Sequence, residues 1–240
     1  MTLSAFAKHA VTLVDLTDLS DECEAHAVEA LAQRALSLSV PVAALCIWPR
    51  FVTQARKMLG TSSIQLATVV NFPHGEENIA VTCAQTERAL RDGADEIDLV
   101  LPWRAFLAGR HDEAARMIRA VRQQTKNAHL KVILETGELR DEPQIRAASR
   151  LALAEGTDFL KTSTGKTPIS ATPEAARIML EEIHASGQDA GFKASGGLRT
   201  IEQAKIYFDL AETIMGSGWA TQNHFRYGAS GLLDNLLAHF

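Results

Sequence analysis

Eight short apolar runs enriched in β-branched residues recur along the chain, at 11–17 (VTLVDLT), 42–49 (VAALCIWP), 64–71 (IQLATVVN), 96–102 (EIDLVLP), 130–136 (LKVILET), 158–164 (DFLKTST), 190–196 (AGFKASG) and 212–218 (ETIMGSG). Their near-continuous apolar character predicts strands covered on both faces, as in a parallel sheet. Between them lie stretches with apolar residues at helical spacing, such as NIAVTCAQTERALRDG and TPEAARIMLEEIHASG. The punctuation agrees. Thr172 can cap a helix with Pro173 and Glu174 in its first turn and Gly187 at its close, and Thr200 with Gln203 makes a capping box. Asp141 and Gly156 bracket another helix, and Gly93 ends the one ahead of Asp98.

No linker, low-complexity stretch or internal repeat divides the sequence. Strict βα alternation eight times over predicts an α/β fold, a closed (β/α)8 TIM barrel, as a single domain over residues 1–240. An open doubly wound sheet is the alternative, but no GxGxxG follows the first strand.

Composition changes this picture little. A net charge of −5 gives no footprint for nucleic acid or a basic membrane patch, and no apolar run reaches membrane-spanning length. The N-terminal segment lacks the charged and apolar regions of a signal peptide, and three cysteines (Cys23, Cys46, Cys83) without metal-ligand spacing suit a reducing cytoplasm. The outer helices show no marked extra apolar stripe, so a homodimer stays an open expectation. Lysine usage is more telling. Arginine outnumbers lysine 16 to 8, yet Lys161, Lys166 and Lys193 all fall at predicted strand ends or the loops after them.

In such a barrel the active site lies at the C-terminal ends of the strands. The polar residues predicted there are Asp15, Thr17, Cys46, Asn71, Asp98, Glu135, Thr136, Lys161 and Lys193. Any one could be a satisfied polar residue of a barrel layer, but several buried charges together need partners. Two lysines in successive strands suggest one amine lowering the pKa of the other. An unprotonated amine is a nucleophile toward carbonyls. Bringing a lysine from about 10.4 to about 7 takes roughly 4–5 kcal/mol of preference for the neutral form, which burial and a neighbouring ammonium can supply.

Lys161, flanked by Thr162, Ser163 and Thr164, is the expected nucleophile, and Lys193 its electrostatic neighbour. The alternative is that both amines merely neutralise Asp98 and Glu135. Asp98 points into the barrel if Ile97 and Leu99 point outward, where it can relay protons or serve as a plain ion-pair partner.

Glycine turns at STGKT (163–167), SGGLR (195–199) and YGASG (227–231) predict an anion site after the last strands. Gly196, Gly197, Gly228 and Ser230 are its expected ligands, with Lys166 and Arg199 as supporting charge. Asp15, Thr17, Cys46 and Thr162 are further substrate-contact candidates. His74 reads as a loop residue, and no histidine cluster, nucleophile elbow or Walker loop is present, so neither a metal nor an organic cofactor is expected.

The segments DLT (15–17), CIWPRF (46–51), NFPHG (71–75), EIDLVLP, KVILETGEL, FLKTSTGK, GFKASGG and RYGAS together resemble the deoxyribose-phosphate aldolase family over about residues 11–235. That resemblance implies a metal-independent class I aldolase on a TIM barrel. Such an enzyme reversibly cleaves 2-deoxy-D-ribose 5-phosphate to acetaldehyde and D-glyceraldehyde 3-phosphate, in deoxyribonucleoside catabolism. It implies Lys161 as the Schiff-base lysine, Lys193 as the lysine that perturbs it and Asp98 as the proton relay. Its partners are a small sugar phosphate and aldehydes.

Two departures stand out. The chain ends at Leu237-Ala238-His239-Phe240 without the tyrosine tail of some members, and Gly231 stands where some relatives carry a second serine. Rival expectations are another Schiff-base sugar-phosphate or transaldolase-like barrel, and a non-catalytic sugar-phosphate-binding barrel.

Overall fold

A computed structural model describes residues 1–240. Eight parallel strands, β1 (Val14–Asp18), β2 (Ala44–Ile47), β3 (Gln65–Val70), β4 (Glu96–Val100), β5 (His129–Ile133), β6 (Phe159–Lys161), β7 (Gly191–Ser195) and β8 (Phe225–Ala229), pair in chain order. The ring closes where β1 pairs with β8, with Asp15 opposite Gly228. This is the expected (β/α)8 barrel.

The helix ends follow local chemistry. Thr172 accepts from the Ala175 amide to start the helix Pro173–Ser186, and Gly187 ends it at φ +63°. Thr200 and Gln203 close a reciprocal capping box at the head of Ile201–Met215, and Asp141 caps Glu142–Ala154. Each cap satisfies amides that the first turn leaves without a helical partner.

The sequence reading is wrong about the eighth strand. Residues 212–215 form the last turn of the helix Ile201–Met215, which stops at Gly216 with φ +101°, and β8 lies further on, at Phe225–Ala229. The apolar pair Ile214-Met215 belongs to a helix stripe packed on the core. The true strand, FRYGA, hides its character because its inward positions hold an arginine and a glycine. A second difference is at the start of the chain, where residues 11 and 12 close a helix, Leu3–Thr12, ahead of β1.

Strand alternation divides the core in two. Outward residues such as Leu16, Leu45, Ile97, Leu99, Val132, Leu160, Phe192 and Tyr227 join the large apolar layer between barrel and helices. A separate small cluster, Ala44, Cys46, Ala67 and Val69 with Leu19, fills the barrel interior beneath β2 and β3. Seven of the other inward positions are charged, alongside uncharged ones such as Thr17, Phe159 and Gly228. Glu96 and Arg226 sit near the strand starts, Asp15, Lys131 and Lys193 come next, and Asp98 and Lys161 lie nearer the strand ends.

Candidate active site

Period-two alternation turns Asp98 inward between the outward Ile97 and Leu99, as expected. Asp98 is the hub of the interior. Its Oδ2 accepts from Lys161 Nζ and Lys193 Nζ, both at 2.8 Å, and its Oδ1 accepts from Lys131 Nζ at 2.9 Å. In register, Lys161 of β6 lies opposite Lys193 of β7, and Asp98 of β4 opposite Lys131 of β5.

The three lysines are not equivalent. Lys193 also donates to Asp15, and Lys131 to Glu96. Lys161, only 2% exposed, touches Asp98 alone. Burial disfavours all three ammonium ions. At Lys193 the Asp15 and Asp98 carboxylates outweigh burial and raise its pKa, and at Lys131 Asp98 and Glu96 do the same. At Lys161 burial dominates. Asp98 opposes it but Lys193 adds to it, and the pKa falls below the ordinary lysine value. Burial also works against the Asp98 carboxylate, yet Lys131, Lys161 and Lys193 hold it well below the usual range. The arrangement therefore holds one amine of lowered pKa beside a carboxylate and two cations that are each paired more than once. An amine so placed can attack a carbonyl, and the carboxylate can pass protons.

Three members of this cluster escaped the sequence reading, namely Lys131, Glu96 and Arg226. Arg226 donates to Asp15 Oδ1 at 2.6 Å and to Glu96 Oε1 at 2.8 Å. A usable signal existed. In HLKVI and FRYGA a charge stands at an inward position between apolar outward neighbours, the same pattern that marks Lys193, whereas Glu96 follows Asp95 and lacks that flank. Arg226 is a buried arginine, 3% exposed.

A cleft of about 570 Å³ is lined by Thr17–Ser20, Thr164–Lys166, Ser195–Arg199 and Gly228–Gly231; Lys161, Lys193 and Asp98 do not line it themselves, but Ser195 and Gly228 of the lining flank Lys193. All the predicted anion ligands thus share one cavity. Gly165, Gly196 and Gly197 have φ of +80°, +89° and +81°, conformations that glycine adopts without strain. Gly228 differs from expectation, because it lies within β8 rather than in a turn. A Cβ there would come within 2.7 Å of Ser195 Oγ and 3.0 Å of Lys193 Cε, so its lack of a side chain makes room for Lys193. Lys166 Nζ pairs with Asp21 across the mouth at 2.7 Å, and Arg199 is exposed at the rim.

The other candidates are placed as follows. Thr17 lines the cleft and donates to its neighbour Asp15 O. Cys46 is buried with Sγ 4.0 Å from Asp98 Oδ2, and burial pushes its thiol pKa up. Asp15 is wholly buried in the ion network, held by Lys193 and Arg226, and does not line the cleft. Thr162 is likewise absent from the lining, since its hydroxyl staples β6 to β7, donating to Ser195 O and accepting from Ser195 N. Glu135 pairs with no lysine and instead accepts from the Thr164 amide and hydroxyl and from Thr167. Asn71 clamps its own loop by donating to Glu76 O and Val100 O. No group of three or more His, Cys, Asp and Glu side chains gathers in metal-binding range.

Among proteins already characterised, a deoxyribose-phosphate aldolase of Agrobacterium fabrum is 52% identical over 229 residues, covering 95% of this chain and 88% of its own length. The crystal structure of a Coccidioides immitis protein, provisionally described as a deoxyribose-phosphate aldolase, superposes with a TM-score of 0.86 at 28% identity, covering 99% of this chain and 86% of that one. The tetrameric deoxyribose phosphate aldolase of Aeropyrum pernix, 22% identical with a TM-score of 0.80 over 99% of this chain and 92% of that one, shares the fold. The family description "DeoC/LacD family aldolase" matches residues 9–227, and this chain belongs to that family.

Proposed function

We propose that this protein is a class I aldolase that reversibly cleaves 2-deoxy-D-ribose 5-phosphate to acetaldehyde and D-glyceraldehyde 3-phosphate through a Schiff base on Lys161. The observation that carries the reading is the inequality of the lysines. Lys161 has one carboxylate contact and a lowered pKa, whereas Lys193 and Lys131 are each held charged by at least two carboxylates. The 52% identical aldolase of Agrobacterium fabrum supports the substrate.

The neutral Lys161 amine attacks the C1 aldehyde of the open-chain sugar, giving a carbinolamine. Asp98 and its ammonium neighbours pass the proton that lets hydroxide leave as water, and a protonated imine remains. Loss of the C3 hydroxyl proton then breaks the C2–C3 bond. The electron pair moves into the iminium, glyceraldehyde 3-phosphate departs, and an enamine is left on Lys161. Protonation at the enamine carbon and addition of water release acetaldehyde and regenerate the amine. Throughout, Lys193 remains an ammonium that favours neutral Lys161 and steadies Asp98.

The phosphate lies in the cleft above, against the amides of Gly196, Gly197 and Ser230, with Lys166 turning from Asp21 toward it and Arg199 adding charge at the rim. Anchoring that end positions C1 over Lys161, which converts binding energy into orientation. We further propose a cytoplasmic enzyme acting as a homodimer. No helix is long and apolar enough to cross a membrane. Sedimentation of the purified chain tests the dimer, and a monomer removes it.

The deciding experiment is borohydride reduction in the presence of acetaldehyde, followed by peptide mass analysis. An ethyl adduct on Lys161 is expected. An adduct confined to another lysine, or none at all, overturns the assignment.

A further inference from the structure

Beneath the reacting lysine lies a pair of charged residues that no substrate can reach. Arg226, 3% exposed, donates to Glu96 and Asp15, and its Nε also donates to the Gln222 carbonyl. Glu96 in turn accepts from Lys131, which donates to Asp98 Oδ1, and Asp98 is the one carboxylate touching Lys161. A continuous chain of charge thus runs Arg226–Glu96–Lys131–Asp98–Lys161. We propose that the Arg226–Glu96 pair at the barrel floor sets the protonation state of Lys161, as a positioning pair acting through Lys131 and Asp98 without contact to the reacting atoms. The proposal rests on the reading of Lys161 as the Schiff-base nucleophile.

The argument is one of charge count. The linked network holds three carboxylates, Asp15, Glu96 and Asp98, against three firmly paired cations, Lys131, Lys193 and Arg226. These six balance, so a proton on Lys161 adds an unbalanced charge within a buried site, where unpaired charge is costly. The titratable and charged groups around Lys161 come from six of the other seven strands. They are Asp15 (β1), Cys46 (β2), Glu96 and Asp98 (β4), Lys131 (β5), Lys193 (β7) and Arg226 (β8), while β3 contributes only Ala67 and Val69. Glu135, just past β5, is held apart from the network by Thr164 and Thr167. Each of these cations serves at least two carboxylates, and Arg226 is the one of the three that touches neither Asp98 nor Lys161; its loss takes one partner each from Asp15 and Glu96. Without it the surplus negative charge stabilises an ammonium on Lys161. Loss of the Glu96 charge does the reverse.

The sign follows directly. Only neutral Lys161 attacks, so kcat/KM falls as pH drops through the Lys161 pKa. Arg226→Met raises that pKa and moves the acid limb to higher pH, whereas Glu96→Gln lowers it and moves the limb to lower pH. Each shift is about one pH unit, the size expected of one charge acting at second-neighbour range at an effective dielectric of about 20. Arg226→Lys keeps the charge and restores the limb, and the double variant Glu96→Gln/Arg226→Met brings it back toward the unaltered position.

The experiment measures kcat/KM for the phosphorylated sugar against pH. In parallel it follows the pH dependence of borohydride-trapped ethyl adduct on Lys161. Opposite shifts for the two single variants support the proposal, because general loosening of the barrel cannot move the limb both ways. Limbs that stay put, or that move in the same direction, overturn it. If Arg226→Met does not fold, Glu96→Gln and the double variant decide alone, by whether the limb falls in the first and returns in the second. Failure to trap Lys161 in the unaltered protein overturns the nucleophile reading, while trapping with an unmoved limb overturns only the role of the floor pair.

Discussion

The barrel interior and the cleft above it handle charge by opposite means. Inside, Asp15, Glu96, Asp98, Lys131, Lys193 and Arg226 lie buried at fixed distances from one another, and almost every charged atom has an ionic partner. At the mouth, the prospective ligands are mainly backbone amides of left-handed glycines, and the cationic side chains of the lining, Lys166 and Arg199, are solvent-accessible. The contrast has a physical basis. A reacting amine needs its proton affinity set closely, which a rigid low-dielectric ion network does well. A phosphate carries permanent charge and must also be released, which exposed amides and screened lysines allow. Interior substitutions should therefore change rate and pH dependence, and mouth substitutions should change affinity.

The largest effect expected is from Lys161→Ala, which removes the nucleophile and should lower kcat by on the order of 10⁴–10⁶-fold with little change in fold by circular dichroism. Substantial turnover in that variant would take Lys161 out of the mechanism.

Next comes Lys193→Met. Lys193 helps to depress the Lys161 pKa, so its loss raises that pKa and moves the acid limb of kcat/KM upward. We expect kcat at neutral pH to fall on the order of 10²-fold, together with marked thermal destabilisation, because Asp15 loses its lysine partner. A pH profile that keeps its acid limb would place Lys193 outside the tuning of Lys161.

At the mouth, Gly196→Ala is expected to raise KM about tenfold while kcat changes less. The residue sits at φ +89°, and a Cβ there would approach Ser170 Oγ to 2.6 Å, so the loop must shift away from the phosphate. A kcat-only defect would contradict the division between mouth and interior. The smallest effect belongs to Gly231→Ser. A Cβ there meets nothing within 4 Å and φ is an ordinary −101°, so the added hydroxyl should lower KM by about two- to threefold without altering stability. An unchanged KM would show that this edge of the cleft lies beyond the phosphate.

Legibility in the sequence followed burial and periodicity. Lys161, Lys193 and Asp98 could be read because each interrupts an apolar run, and the observed hydrogen bonds bring all three together. Lys131 carries the same signal at the same third position of its strand as Lys193 yet was passed over, and Arg226 lies immediately before a segment read as a turn. Thr162 shows the reverse error. Its place beside Lys161 suggested a substrate contact, yet alternation turns it from the cleft and commits its hydroxyl to the Ser195 backbone. The eighth strand was misplaced because a short apolar run near a glycine reads alike as a helix end or a strand.

By itself the sequence determined the architecture and the chemical class of the site. Eight alternations of apolar strand and amphipathic helix leave little choice but a closed barrel, and lysines within strands must meet carboxylates or lose their protons. Only the tertiary structure supplied the reason that Lys161, and not Lys193 or Lys131, has a lowered pKa. That outcome depends on how many carboxylates from distant strands converge on each amine. Lys193 meets Asp15 across 178 residues and Arg226 reaches Asp15 across 211, distances that no local pattern spans.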